Sequence, residues 1–212
     1  MTIALRALGF DVGPKRVRSA MQIMGLEAIY PKRSLSAPNK EHKKYPYLLR
    51  GLDVNHPNQA WAADITYIPL VRGFVYLFAI IDWFSRYVIE WELSNLLETS
   101  FCVEALGRGL VKASPGIFNT DQGVQFTSRA FVSKLEENGI RVSMDGKGRA
   151  LDNVFVERLW RSVKYEDIYC KGYENLREVQ QGLQEYFKFY NEQRPHQGLE
   201  YRTPAEVYVE RK

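Results

Sequence analysis

The 212-residue sequence predicts a mixed α/β fold, in which a meander of three strands is followed by alternating helices and strands. Residues 61–70 (WAADITYIPL) and 74–82 (FVYLFAIID) are rich in β-branched and aromatic residues, and the short turn VRG joins them. A third segment of this kind, RYVIEWEL, covers residues 86–93. Strands joined by connections this short pair antiparallel, which predicts the meander.

The rest of the chain alternates helical patterns with short strand patterns. The predicted elements are, in order, a helix over about 98–112, a strand over 116–120, a helix over 127–139, a strand over 140–144, a long helix over 152–166, a helix over about 174–193 and a short helix from 203. Thr127 or Ser128 is the expected N-cap of the 127–139 helix, and Asp152 that of the long helix. This order matches the ribonuclease-H-like layout, a mixed five-stranded sheet flanked by helices.

A small helical segment precedes this α/β core. Its second helix is predicted to open at Pro14, near the first helical position, with Val17, Met21 and Met24 on one face. Two short helices joined by a Gly-containing turn resemble half of a helix-turn-helix. The chain begins inside the first helix, as if a longer protein had been shortened.

Positive charge is concentrated at the N-terminus. Residues 1–50 hold ten Lys and Arg but three acids, a net charge of +7, so the other 162 residues carry −3 of the total of +4. Such a basic arm suits a polyanion, although a solvated tail explains the charge alone equally well. No apolar run approaches the roughly 20 residues that span a bilayer. With no secretory signal and two cysteines outside any CxxC motif, a cytoplasmic, nucleoid-associated protein without a membrane partner or structural zinc is expected.

Three acids are candidates for a catalytic site. Asp64 lies mid-strand among apolar residues, Asp121 follows the fourth strand, and Glu157 lies on the long helix beside its apolar face. If the first and fourth strands are neighbours, the three carboxylates converge. They would then repel one another unless cations intervene, and hard oxygen ligands suit two Mg²⁺ or Mn²⁺ ions. The alternative is that each acid makes a separate local bond.

The spacing favours convergence, since 35 residues separate Asp121 from Glu157. The sequence here resembles the DDE transposases and retroviral integrases, whose signature is two Asp and a Glu at about this spacing. It is most similar to the second-reading-frame protein of the insertion-sequence 3 family of bacterial transposases. The matching segments are WAADITYI, AIIDWFSRYVIEWEL, NTDQGVQFTS, LDNVFVERLWRSVKYE and FYNEQRPHQGLEYRTPAEVY, with GPKRVRSAMQIMGLEAIYPKR before them.

The resemblance implies a function, a domain division and partners. It implies metal-dependent DNA strand cleavage and strand transfer at the ends of an insertion sequence, with Asp64, Asp121 and Glu157 as catalytic metal ligands. The expected domains are a partial helix-turn-helix-like DNA-binding segment at 1–30, a basic linker at 31–58, an integrase catalytic core at 59–170 and its helical C-terminal part at 171–212. Expected partners are element-end and target DNA, further copies of the chain on DNA, and an upstream-frame helix-turn-helix and leucine-zipper protein or fusion. A related nuclease and a truncated, non-catalytic DNA-binding remnant remain alternatives.

Further residues are candidates for DNA contact. The family places a Lys at the position of Lys164 near donor DNA, although an exposed helical Lys would look the same. Weaker candidates for DNA contact are Arg161, Gln122, Lys15, Arg16 and Arg18. Asp82, at the end of the second strand, is a minor candidate for the site itself.

Two positions depart from the family's pattern. Asn119 stands where a His is frequent, and Asp145-Gly146 stands where Ser-Arg is frequent. The second departure places an acid where a base would face DNA, so we expect weaker DNA affinity in that loop.

Overall fold

The computed structural model describes residues 2–24, 45–146 and 153–210. The chain divides into two compact units, residues 1–38 and residues 39–212. The division into four functional domains stays a prediction.

The described part of the first unit, residues 2–24, contains two helices, as predicted: α1 (Thr2–Ala7) and α2 (Pro14–Ile23). Pro14 occupies the first position of α2, where its missing N–H costs no helical hydrogen bond. Val17 is buried, but Met24 is 61% exposed, so the expected apolar face does not extend to that residue. The sequence also predicts Gly25 as the residue that closes α2, and Gly25 lies outside the described residues.

The second unit is built on a five-stranded mixed sheet. Its strands are β1 (Ala60–Pro69), β2 (Phe74–Asp82), β3 (Val88–Ser94), β4 (Ile117–Thr120) and β5 (Arg141–Met144), in the spatial order β3-β2-β1-β4-β5. The first three strands pair antiparallel, whereas β4 pairs parallel with β1 and β5 parallel with β4. The predicted meander is therefore confirmed. The first and fourth strands are neighbours, which is the condition under which the candidate carboxylates were expected to converge.

The third strand begins two residues later than its sequence suggests. Asp82 is fully buried and accepts hydrogen bonds from the Asn58 amide, the Ser85 amide and the Ser85 hydroxyl. These bonds hold a tight turn in which Arg86 has a positive φ of 65°. The turn uses the residues up to Tyr87, so the ladder starts at Val88.

Helices cover both faces of the sheet. They are α3 (Thr99–Lys112), α4 (Arg129–Glu137), α5 (Val154–Val163), a π-helical turn (Lys164–Ile168), α6 (Tyr169–Lys171), α7 (Leu176–Glu192), a 3₁₀ turn (Gln197–Leu199) and α8 (Pro204–Val209). Alternate side chains of each strand point to opposite faces. One face, including Trp61 and Phe78, packs under α3 and α4, and the other, including Leu77 and Ile81, packs under α5 and α7.

The helix caps agree in part with the sequence. The Ser128 hydroxyl accepts a hydrogen bond from the Phe131 amide and caps α4, as expected. Thr203 and Glu206 form a reciprocal capping box at α8. The N-cap position of α5 is Asn153. Asp152, the predicted cap, lies outside the described residues.

Candidate active site

The central strand of the sheet extends well beyond its parallel neighbour. Strand β4 pairs only with Ala60 to Ala62 of β1, so the next residues of β1 have no strand partner on that side within the described chain. Asp64 lies just past the last paired residue, and Asp121 directly follows β4. Both aspartates line one pocket of about 120 Å³. The sequence prediction that the two strands bring these acids together is supported by this geometry.

Asp64 is half-buried between the sheet and α5. Its Oδ2 accepts a hydrogen bond of 2.9 Å from the indole Nε1 of Trp160. Burial raises the pKa of Asp64 to about 6, against hydrogen bonds from Trp160 and the Ile65 amide that lower it. The negative charges of Asp121 and Glu157 raise the pKa further. Asp121 and Glu157 are therefore close enough to act electrostatically on Asp64.

Asp121 is held by the loop that follows β4. Its Oδ1 accepts a hydrogen bond of 2.8 Å from the Gly123 amide. Desolvation by the surrounding protein raises the pKa of Asp121, and this amide opposes the rise. A Cβ on residue 123 would lie 2.8 Å from Asp121 Oδ1 and 3.4 Å from Phe126, so the loop requires glycine. The Asp-Gln-Gly triplet is the sequence signal of this local structure.

Glu157 lies on α5, whose buried face is formed by Val156, Leu159, Trp160 and Val163. Its side chain is exposed, while its charge reaches Asp64. Within the described residues, no three His, Cys, Asp or Glu side chains stand close enough together to hold a metal ion. The donor set still fits a hard divalent cation, because such an ion prefers carboxylate oxygens and would relieve the repulsion that raises the pKa of Asp64.

Lys164 lies beside Asp64, on the same face of β1. The helix α5 ends at Val163, and Lys164 opens the π-helical turn, from which its Nζ donates a hydrogen bond of 2.8 Å to Thr66 Oγ1. Desolvation lowers the pKa of Lys164, and the attraction of Asp64 opposes this. The sequence predicted a role for Lys164, but it gave no sign that Thr66 would be its hydrogen-bond partner.

The other candidate DNA contacts have different environments. Arg161 is exposed on α5. Gln122 is exposed next to Asp121, and its Nε2 donates to the carbonyl of Asp145. The remaining candidates, Lys15, Arg16 and Arg18, are exposed on α2 of the first unit. None of these DNA roles is tested by the geometry.

The two departures from the family pattern contact each other. Asn119 is fully buried, and its Nδ2 donates a hydrogen bond of 2.7 Å to Asp145 Oδ1. Its Oδ1 accepts a hydrogen bond of 2.7 Å from the Ser143 hydroxyl. The Asp145 carboxylate is therefore bound by Asn119 of β4, and this bond joins the ends of β4 and β5.

Asp82 does not belong to the site. It pairs in register with Trp61, at the start of β1, whereas Asp64 pairs with Ala79 further along the strand. Its carboxylate is occupied by the Ser85 and Asn58 donors described above. We therefore assign Asp82 to the β2–β3 turn.

Polar residues of α7 and the loop after it form a second set of contacts. Glu166 accepts hydrogen bonds from Tyr186 and, through both oxygens, from Arg194. The Asn191 side chain accepts from the Val88 amide at 2.9 Å and donates to the Val88 carbonyl at 3.0 Å. These contacts fasten α7 to the π-helical turn and to the edge strand β3, so the Tyr-Asn-x-x-Arg pattern in this segment is structural.

His196 belongs to the same region. Its ring packs edge-on against Tyr190, with centroids 4.7 Å apart. Burial, and next the positive charge of Arg194, lower the pKa of His196 to about 4. The imidazole is therefore neutral at physiological pH. His196 is therefore a neutral side chain that packs against α7.

Comparison with known proteins now identifies the family. Two models described as "Integrase core domain" match residues 54–150 and 138–204. The transposase for insertion sequence element IS904 of Lactococcus lactis subsp. lactis (strain IL1403) is 32% identical over 97% of this chain and 84% of that protein. The putative transposase InsK for IS150 of Escherichia coli (strain K12) is 30% identical over 97% of this chain and 75% of that protein. The chain belongs to the insertion-sequence 3 family of transposases.

Two further comparisons concern its span and its fold. The transposase InsF for IS3fB of Escherichia coli (strain K12) is 31% identical over 80% of this chain, which covers 61% of that protein. The catalytic core domain of HTLV-2 integrase in complex with magnesium superposes with a TM-score of 0.59 at 18% identity, over 73% of this chain and 98% of that chain. The ribonuclease-H-like fold class is thereby confirmed. As a transposase with this core, the chain is a polynucleotidyl transferase, and its expected role in transposition is confirmed at the level of the family.

No described helix is long and apolar enough to cross a membrane.

Proposed function

We propose that this transposase cleaves and joins DNA strands at the ends of its element with Asp64, Asp121 and Glu157 holding two Mg²⁺ or Mn²⁺ ions. The observation that carries the proposal is the shared pocket of Asp64 and Asp121, in which burial and mutual repulsion raise the pKa of Asp64 to about 6. Two carboxylates kept together cost stability unless cations offset their repulsion, and Lys164, whose charge attracts Asp64, donates its hydrogen bond to Thr66. Perturbed carboxylates in a cleft are typical of functional sites.

The chain's own residues prepare this site. The Trp160 indole donates to Asp64 and the Gly123 amide donates to Asp121, so both carboxylates are oriented before DNA arrives. Bound divalent ions would supply activation of the attacking hydroxyl and charge stabilisation at the leaving oxygen. Above pH 6 Asp64 is ionised and able to bind a cation; below it, protons compete.

DNA would be held by positive and amide groups around the cleft. The Lys164 ammonium has three donors, of which Thr66 takes one, so a phosphate can approach Asp64 from that side. We further propose Arg161 and Gln122 as contacts near the cleft, and Lys15, Arg16 and Arg18 as phosphate contacts of the first unit. Assembly of several copies on DNA and an upstream-frame partner belong to the same proposal.

Single substitutions of the three acids test the metal ligands. We expect Asp64→Asn, Asp121→Asn and Glu157→Gln each to reduce Mg²⁺-dependent cleavage of element-end DNA by at least about a thousandfold, because such residues act as a unit. A matched control is Glu104→Gln, which removes an exposed carboxylate from α3. Cleavage that survives Glu157→Gln at near parental rates contradicts the assignment.

Two further measurements separate the alternatives. Thermal unfolding should show that Mg²⁺ stabilises the parent more than Asp121→Asn, because a ligand that binds only the folded state stabilises it. A strand-transfer assay with a supercoiled target distinguishes a transposase from a nuclease, since joined products require a 3′-hydroxyl as nucleophile. Binding without cleavage or joining in either metal would indicate the non-catalytic remnant.

A further inference from the structure

Three aromatic side chains form a cluster at the tip of the β1–β2 hairpin. Tyr67 on β1 lies directly opposite Tyr76 on β2, and Phe74 is two residues before Tyr76 on the same face. The ring centroids of the three pairs are 5.2 to 5.3 Å apart. Tyr67 is nevertheless 56% exposed and Phe74 50% exposed. We call these three residues the hairpin aromatic cluster.

The cluster continues a buried sheet face beyond its helical cover. Phe78, two residues after Tyr76, is fully buried against Phe101 and Phe131 of α3 and α4. Towards the hairpin tip the same face becomes exposed, so the three aromatic rings pack mainly on one another. Rings that already hold each other in tilted and edge-to-face contacts lose little freedom when a ligand adds a further contact.

The cluster borders the acidic pocket. Tyr67 and Tyr76 line the same pocket as Asp64 and Asp121. Tyr67 lies three positions after Asp64 and so points to the opposite face of β1, but both side chains reach the pocket at the strand edge beyond the pairing with β4. A DNA strand that crosses this edge with a phosphate at the two aspartates would bring a neighbouring base towards these rings. Exposed apolar groups beside a site of this kind are characteristic of ligand contact.

We propose that the hairpin aromatic cluster is a stacking platform for one unpaired nucleobase next to the phosphodiester that the transposase cuts. The inference rests on the proposed function, since the acidic pocket supplies the position of the strand. The cluster suits a base, because aromatic rings stack on the faces of all four bases, whereas phosphates are held by cations. Exposed Arg72, in the hairpin turn, is a cation that can meet the next phosphate. The platform is sequence-tolerant, and it favours DNA that is frayed at the cut.

Variants of Tyr67 test the platform through the base itself. With the full chain and a duplex cut by the parent, we expect Tyr67→Ala to lower the cleavage rate about tenfold, within the range of losing one stacked base, and Tyr67→Phe to keep it. Tyr201→Ala is the matched control, because Tyr201 is 71% exposed and outside the pocket. An abasic site at the stacked position should slow the parent equally, and Tyr67→Ala should then have no additional effect.

A fluorescence measurement makes the test independent of catalysis. In the Asp121→Asn background with Mg²⁺, 2-aminopurine placed in turn at each position beside the cut should be quenched at one position, and Tyr67→Ala should remove that quenching. If the parent cleaves and Tyr67→Ala changes neither the cleavage rate nor the quenching, the platform is overturned and the proposed function stands. A parent that does not cleave overturns the proposed function, and the quenching then decides the platform alone. Loss of self-association by Tyr67→Ala without a change in quenching identifies the cluster as a contact between copies and also overturns it.

Discussion

The acidic pocket and the polar contacts of α7 use the same residue types for opposite purposes. The pKa of Asp64 is raised to about 6, because burial, together with the repulsion of Asp121 and Glu157, outweighs the hydrogen bonds that lower it. The pKa of Glu166 is lowered, because Arg194 binds both of its oxygens and Tyr186 donates to one. A carboxylate whose hydrogen bonds and charge are paired within the fold, such as Glu166, stabilises the structure. A carboxylate that the fold keeps close to other negative charges, such as Asp64, is available to bind a cation.

The largest effect on stability is expected at the α7 contacts. Asn191 binds both the amide and the carbonyl of Val88, and Asn191→Ala leaves both buried main-chain groups unpaired. At about 1 to 3 kcal/mol for each of the two groups, the free energy of unfolding should fall by about 2 to 6 kcal/mol. Urea unfolding at pH 7 measures this change.

A matched control distinguishes burial from the amide group itself. The side chain of Asn138 donates to the Lys134 carbonyl at the exposed end of α4, so Asn138→Ala should lower the free energy of unfolding by less than about 1 kcal/mol. Equal losses for the two variants would show that the buried contact of Asn191 with Val88 stabilises the fold no more than an exposed hydrogen bond does. The claim that the α7 contacts are structural would then be contradicted.

The sequence predicted most of the sheet but few of the contacts between residues that are distant along the chain. Segments rich in β-branched and aromatic residues, joined by a short turn, predicted β1 and β2 with one-residue accuracy, because hairpin structure is local. The adjacency of Asp64 and Asp121 followed from pairing the first strand with the fourth. By contrast, the contact of Trp160 with Asp64 joins residues 96 positions apart, and that of Asn191 with Val88 joins residues 103 apart. No local pattern encodes such pairs, since they arise only when the helices pack on the sheet.

The next effect is an opposite pH dependence of the two regions. The folded-state pKa of Asp64, about 6, exceeds its ordinary value of 3.8, so the folded protein binds this proton more tightly. The resulting stability is complete below about pH 4 and is lost as pH rises through 6, by about 2 to 3 kcal/mol. Asp64→Asn should remove this loss in chelator. Glu166 has the opposite sign, because its lowered pKa gives stability that is lost as pH falls through the folded-state pKa.

Unfolding midpoints in urea between pH 3 and 8 compare the two carboxylates directly. Relative to the parent, Asp64→Asn should gain stability at neutral pH, whereas Glu166→Gln should lose stability there and recover at acidic pH. Mg²⁺ should reduce the advantage of Asp64→Asn. A loss of stability in both variants at pH 7 would mean that Asp64, like Glu166, is stabilised by partners within the protein.

The smallest effect concerns Lys164, which lies at the boundary between the two regions. Its Nζ binds Thr66 on the sheet, while its charge attracts Asp64. If this ammonium also meets a DNA phosphate, Lys164→Met should weaken DNA binding about tenfold at low salt. It should also reduce the slope of log affinity against log salt concentration by about 0.9, the value for one phosphate contact. Competition binding across salt concentrations measures both quantities.

Thr66→Val provides the control, because it removes the hydroxyl that Lys164 binds and keeps the ammonium. If Lys164 serves DNA, Thr66→Val leaves the salt slope unchanged and frees a donor. If Lys164 serves only the packing of the π-helical turn on β1, both variants lose similar stability and neither changes the slope.

Lys164→Met has one further consequence. Removing the positive charge beside Asp64 raises the pKa of that carboxyl further, so the loss of stability with rising pH should move to higher pH in this variant and not in Thr66→Val. A shift of that window together with an unchanged salt slope would mean that Lys164 tunes the acidic pocket without touching DNA.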